Sequence, residues 1–206
     1  MRNRMTIYSL TACLLAALFI APGCGGARPY SRMYKSASSE LSAPAQARDQ
    51  RLKAHLRTAL ISEEGLAGLT LSPEVVMERG YVIGHVVTPD QASAILRIAR
   101  GVTGLRSVDT YLPLSQSQPA ADSSTVSDMT IHTEVAAALR LAPKVVASRI
   151  TVTVLDRQVV LVGVVSGDEE RRQAVDAASG VDGVKGVTDW LLLPEPDYMA
   201  VRPKLR

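Results

Sequence analysis

Residues 150–193 read ITVTVLDRQVVLVGVVSGDEERRQAVDAASGVDGVKGVTDWLLL, and how this stretch folds decides how the whole chain folds. Ile150, Val152 and Val154 alternate with Thr151 and Thr153, the period of a strand with one buried face. Asp156-Arg157-Gln158 supplies a polar turn, and Val159 to Val165 a second strand. Gly163 sits inside that strand, where a missing side chain marks a bulge or the close approach of another element. Ser166 and Glu169 have capping-box spacing, each able to satisfy a free amide at a helix start. The helix that follows has a narrow apolar face of Ala174, Val175 and Ala178 and is predicted to end at Gly180 as a C-terminal glycine. Val184 to Leu193 returns as a closing strand.

Shifted by 79 residues, the stretch superposes without a gap on an earlier one. Gly84 falls on Gly163, Val86 on Val165, Gly101 on Gly180, Gly104 on Gly183, Val108 on Val187 and Tyr111 on Trp190. Upstream, the same offset aligns Asp49 with Asp128, Ala59 with Ala138 and Leu60 with Leu139, so each unit opens with a helix. Agreement at turn glycines and core positions together marks a duplication. The expected fold class is α+β, as two tandem α-β-β-α-β domains.

An apolar strand with a mid-strand glycine, a helix, and then Gly180-Val181-Asp182-Gly183-Val184 running through Val187 to Leu191 resembles the BON domain of bacterial osmotically inducible and nodulation proteins. A tandem pair behind a lipid-attachment signal is similar to the dual-BON lipoproteins of the outer membrane. The resemblance covers roughly residues 49–115 and 126–193. It implies a non-enzymatic envelope protein and would put a lipid contact on the second domain.

The amino terminus differs in kind. Arg2 and Arg4 precede an apolar run through Leu14, Leu15, Leu18, Phe19 and Ile20 that breaks at Pro22-Gly23-Cys24. This is the pattern of a secretory signal, too short for a membrane span. Ala21-Pro22-Gly23-Cys24 resembles a lipobox, although it lacks the usual Leu three residues before the Cys; cleavage is expected after Gly23 and diacylation at Cys24. Leu10-Thr11-Ala12-Cys13 fits letter by letter but leaves too little apolar core ahead of it, and an ordinary secreted chain with Cys24 as a spare thiol is the other reading. Gly25 in place of Asp after the Cys resembles the outer-membrane sorting pattern, with the inner membrane still open.

The 206 residues are 47% hydrophobic but only 4% aromatic, so the cores are small and aliphatic. Units of this size sit near the lower limit of independent stability, and the two are expected to lean on each other. Expected boundaries are a signal at 1–23, a flexible tether at 24–48, domains at 49–115 and 126–193, a linker at 116–125 and a disordered tail at 194–206. Arg28, Arg32, Lys35 and Arg48 outnumber Glu40 in the tether, whereas the first domain has 7 basic and 7 acidic residues and the second 7 and 9. The basic excess therefore lies beside the expected membrane. Helical stripes are read at Leu52, Leu56, Ala59 and Leu60 and at Ile131, Val135, Ala138 and Leu139. Pro73, which cannot donate a ladder hydrogen bond, predicts an edge strand or a strand that starts after it. Thr88-Pro89-Asp90-Gln91 predicts a capped helix.

Chemistry is sparse. His55, His85 and His132 fall on different elements without metal-ligand spacing, and the glycines after each helix follow it, whereas those of a phosphate loop open one. No catalytic residue, metal or cofactor is expected. Asp168-Glu169-Glu170 reads as a helix start favoured by the dipole, and Trp190 and Tyr111 as core or inter-domain packing ahead of interfacial anchors. Nucleic acid is disfavoured because neither domain is net basic. The expected partner is an anionic phospholipid surface, met chiefly by Arg28, Arg32 and Lys35, with Arg171 and Arg172 as a weaker second contact, or else envelope proteins. The alternative is a structural adaptor packed against a larger envelope or secretion assembly.

Overall fold

Each repeat is built on a two-residue hairpin. The structure is a computed structural model that describes residues 43–115 and 124–195. In it β1 (Leu71–Val76) pairs antiparallel with β2 (Arg79–Gly84) around Met77-Glu78, and β4 (Ile150–Leu155) with β5 (Gln158–Val164) around Asp156-Arg157. All four turn residues have positive φ, 53° and 59° in the first turn and 53° and 67° in the second. Such turns match strand twist but normally use Asn-Gly; a side-chain-bearing residue there costs about 1–2 kcal/mol.

The offsetting interaction comes from the helix that opens each repeat, α1 (Ala43–Ile61) or α3 (Ser124–Leu141). Asp49 accepts from the amides of Met77 (2.8 Å) and Glu78 (3.0 Å), and Asp128 from those of Asp156 (2.9 Å) and Arg157 (2.8 Å). Equivalent aspartates thus clamp equivalent turns.

After the hairpin, α2 (Pro89–Arg100) delivers β3 (Ser107–Tyr111) parallel to β2, and α4 (Asp168–Ser179) delivers β6 (Gly186–Leu192) parallel to β5. The sheet orders are β1-β2-β3 and β4-β5-β6. One face of each sheet carries its own helices: Leu52, Leu56 and Leu60 meet Val82, Ile95 and Ala99, while Ile131, Val135 and Leu139 meet Val159, Leu161 and Leu191. Ala174 and Ala178, fully buried, let α4 lie close to its sheet. Strand alternation turns Tyr81 and Ile83 the other way, as it does Val160 and Val162, and these four share one cluster with Val76, Tyr111, Leu155 and Trp190. The two sheets therefore pack on each other, with Tyr81 stacked on Trp190 at 5.0 Å between ring centroids. Aromatic packing at the inter-repeat seam is the role this gives Trp190, and the small domains do lean on each other.

Gly84 and Gly163 are places of close backbone approach. A Cβ would lie 2.5 Å from the Thr70 carbonyl oxygen in the first case and 2.3 Å from that of Arg149 in the second. No bulge forms, since the register runs through Leu71–Gly84 and Ile150–Gly163.

Several local expectations are corrected. α1 starts at Ala43, inside the stretch expected as tether, because Pro44 suits a first helical turn and Ala45 is buried against Met77 and Val164. α3 likewise starts at Ser124, inside the expected linker. Of the two alternatives for Pro73, the edge strand holds: β1 runs through it at the sheet's edge. Thr88 and Gln91 form the predicted capping box, whereas Ser166 and Glu169 do not. Helix α4 is capped at Gly167, and Ser166 turns to Glu170. Gly180 ends α4 with right-handed φ −76°; the left-handed turns fall three residues on, at Gly183 (φ 87°) and its equivalent Gly104 (φ 101°). The closing strand spans Gly186–Leu192, shorter than expected.

Candidate interaction surfaces

Of the residues singled out for membrane contact, Gly23, Cys24, Arg28, Arg32 and Lys35 lie outside the described residues. Arg171 and Arg172 lie in the first part of α4 and are both engaged. The Arg171 Nε meets Asp189 Oδ2 on β6 at 2.6 Å, and the Arg172 guanidinium pairs with Glu169 one turn back. Hydrogen bonding from Gln173, with help from Arg172 and Lys144, holds the Glu169 carboxyl below its usual range. Three acids and two arginines in two turns leave this ledge with one negative charge in excess, though Arg172 remains 66% exposed.

Next to it Glu170 is buried, 3% exposed. It accepts from the Ser166 amide (2.8 Å), the Ser166 hydroxyl (2.7 Å) and the Val146 amide (2.8 Å), with Arg149 at 3.7 Å. Burial pushes its carboxyl up, but these donors outweigh burial and hold it below the usual carboxylate range. The equivalent residue in the first repeat is neutral. Gln91 accepts from the Val87 amide (2.8 Å) and donates to the Gly65 carbonyl (3.2 Å).

The rim of the seam is polar at two points. His85 Nε2 lies 2.7 Å from Asp156 Oδ2. Glu195, just past β6, reaches back to the first repeat and is held by Arg79 (2.9 Å) and Arg106 (2.7 Å), whose hydrogen bonds draw its carboxyl below the usual range. The first two residues of the expected disordered tail are thereby placed against the fold. Within the seam, burial raises the Tyr81 phenol to about 12, against the pull of Arg79. Burial raises Tyr111 as well. His55 and His132 are exposed on α1 and α3. Among the described residues no group of three His, Cys, Asp or Glu could hold a metal, and no helix is long and apolar enough to cross a membrane. Among the described residues a cleft of about 290 Å³ lies beside the β1 edge, lined by Arg57 and Thr70 together with Leu60, Ile61, Leu66, Leu69, Leu71 and Pro73.

Three features escaped the sequence reading. The aspartate clamps had a signal, because Asp49 and Asp128 keep their place while the turns they bind differ. Burial of Glu170 had a weaker one, namely its alignment with a capping Gln. Glu195 had none, since its partners lie 116 and 89 residues away.

The BON domain family model matches residues 48–113 and 127–193. The chain is similar to osmotically-inducible protein Y of Escherichia coli (strain K12), 28% identical over 144 residues that make up 69% of this chain and 71% of that protein. Among solved structures it is similar to the C-terminal domain of CdsD, a structural protein of the type III secretion system of Chlamydia trachomatis. Identity there is 15%, coverage 71% of this chain and 67% of the other, and the TM-score 0.29. A second CdsD structure gives 16% identity and a TM-score of 0.29, the match covering 71% of this chain and 63% of that one. One unit matched twice, at the boundaries where the fold repeats, shows that the chain belongs to the BON-domain family, whose members are not enzymes.

Proposed function

We propose that the protein is a lipid-anchored periplasmic component of the cell envelope, diacylated at Cys24 after cleavage behind Gly23, facing the periplasm from the outer membrane and binding anionic phospholipid. The observation that carries this reading is the apolar run ending at Ala21-Pro22-Gly23-Cys24 ahead of two complete BON domains. The sheets bury their apolar faces against their own helices and each other, so neither sheet face is free to meet a bilayer. Engagement of Arg171 by Asp189 and of Arg172 by Glu169 supports giving Arg28, Arg32 and Lys35 the larger share of lipid contact. Each basic residue near an anionic bilayer contributes on the order of 1 kcal/mol. Such a contribution orients domains that two acyl chains already hold.

Two measurements test the reading. Cys24→Ala is expected to move the protein from the membrane fraction to the periplasmic extract; an acylated or fully membrane-bound variant overturns the anchor. The chain from Gly25 onward is expected to co-sediment with anionic and not neutral vesicles, less so at high salt, and to lose binding when Arg28, Arg32 and Lys35 are neutralised. Binding that instead depends on Arg171 and Arg172 moves the contact to the second domain. The cleft beside the β1 edge favours a second reading, a structural adaptor seated on an envelope assembly. Co-purification of a protein partner without any vesicle binding selects it.

A further inference from the structure

The seam between the repeats is two-fold symmetric in its residues. Four side chains of the first repeat, Val76, Tyr81, Ile83 and Tyr111, enter the shared cluster; the four of the second, Leu155, Val160, Val162 and Trp190, are their equivalents under the 79-residue offset without exception. The rim obeys the same rule. Met77 lies with Val164, and the exchanged pair, Asp156 with His85, is also in contact. Contacts in which one residue meets another and their equivalents meet in return define an isologous interface, the kind two identical subunits make.

We infer that each sheet face is self-complementary, a homodimer surface carried twice in one chain, and that the second repeat binds the same face of a second copy of this protein once its own partner repeat is withdrawn. Leu155, Val160, Val162 and Trp190 would then meet their own duplicates. The pairing within one chain is favoured for two reasons. A linker of a few residues supplies an effective concentration on the order of millimolar. The rim is also matched only in the mixed pair: Asp156 meets His85, whereas two second repeats would set each Asp156 against Val164, and two first repeats would set each Met77 against His85. Tyr81 against Trp190 follows the same logic, since two second repeats would offer Val160 in place of the tyrosine. The intact chain therefore closes on itself, and pairing between copies is the latent alternative.

Ile83→Asp spoils the first repeat's face while leaving its helix-side core of Leu52, Leu56, Val82 and Ile95 in place. Sedimentation velocity of the chain from Gly25 onward, at a concentration on the order of 100 µM and so below the effective concentration of the linked pair, is expected to give a monomer for the natural sequence. Ile83→Asp is expected to double the mass, and adding Val162→Asp to restore the monomer. If the aspartate unfolds the chain, Ile83→Ser is read in the same way. A single variant that stays folded and monomeric while Trp190 emission shifts to that of a solvent-exposed indole, its seam open yet unpartnered, overturns the inference. So does a dimer that ignores both substitutions.

Discussion

The two repeats share a skeleton and differ in chemistry where the skeleton leaves a choice. Facing their own helices they use the same devices: a close-approach glycine, an aspartate clamp, a left-handed glycine after the second helix. Facing each other they differ, with Tyr81 where the second has Val160, His85 where it has Val164, and Met77 where it has Asp156. Beneath the second helix the first repeat uses neutral Gln91 and the second a buried carboxylate, Glu170. The internal face thus reports what one BON unit needs to fold, and the divergence reports what the pair needs from each other.

The glycines test the shared part hardest. Gly163→Ala drives a methyl into the Arg149 carbonyl and Gly84→Ala into that of Thr70, both backbone atoms. Each is expected to lose about 3 kcal/mol, the upper end for overpacking, by chemical denaturation, with Gly163 worse because only backbone surrounds it. Equal tolerance of both would break the claim that the glycines are structural.

The clamps come next. Asp49→Ala is expected to lose about 3 kcal/mol and Asp128→Ala about 2, since charged hydrogen bonds contribute about 1.5–3 each and Asp49 is the more buried. Replacing Asp156-Arg157 by Asn-Gly should recover most of the Asp128→Ala loss, because the turn then no longer resists its own backbone. Failure to recover would mean that Asp128 acts through something other than the turn.

Most of this skeleton was legible. Period-two valines, turn residues, helix stripes and the offset fixed the element order, because each is a local pattern repeated twice. The misreadings share a cause: they involve partners distant in sequence. Ala43 to Arg48 has linker composition, and its burial at Ala45 depends on Met77 and Val164, which lie far off in sequence. Ser166 has the right spacing to Glu169, but burial selects Glu170. The anchor was read from an apolar run and the cysteine that ends it, and the tether contacts from a charge count; their tests are chemical.

The Gln91 and Glu170 contrast predicts that acid acts unevenly. The Glu170 carboxyl lies below its ordinary 4.5 when folded, so its contribution is present above that value and is lost as pH falls through the folded pKa. Unfolding monitored by Trp190 should steepen below about pH 4.5, and Glu170→Gln should flatten that limb while losing about 1–2 kcal/mol at neutral pH. An unchanged acid limb would remove Glu170 from the account. The smallest effect belongs to the rim. A double-mutant cycle of His85→Ala with Asp156→Ala is expected to give a coupling under about 0.5 kcal/mol at neutral pH, as both side chains are well exposed.

Clamp and seam also differ in when they can form. Asp49 and Asp128 precede the turns they bind, so as the chain emerges from the ribosome or an export channel each helix and hairpin can settle with residues already present. The parallel strand waits for a helix to carry it back, and the seam waits longer, because Tyr111 and Trp190 lie on those returning strands. Non-local pairing of this kind is slow, and it leaves sheet faces exposed until it is complete. Trp190 is among the last residues to join the seam as the chain emerges, and Glu195 follows it to latch the first repeat. A chain cut short before residue 150 would hold a finished first domain with its inner face bare, a state in which a chaperone or a second nascent copy would find it.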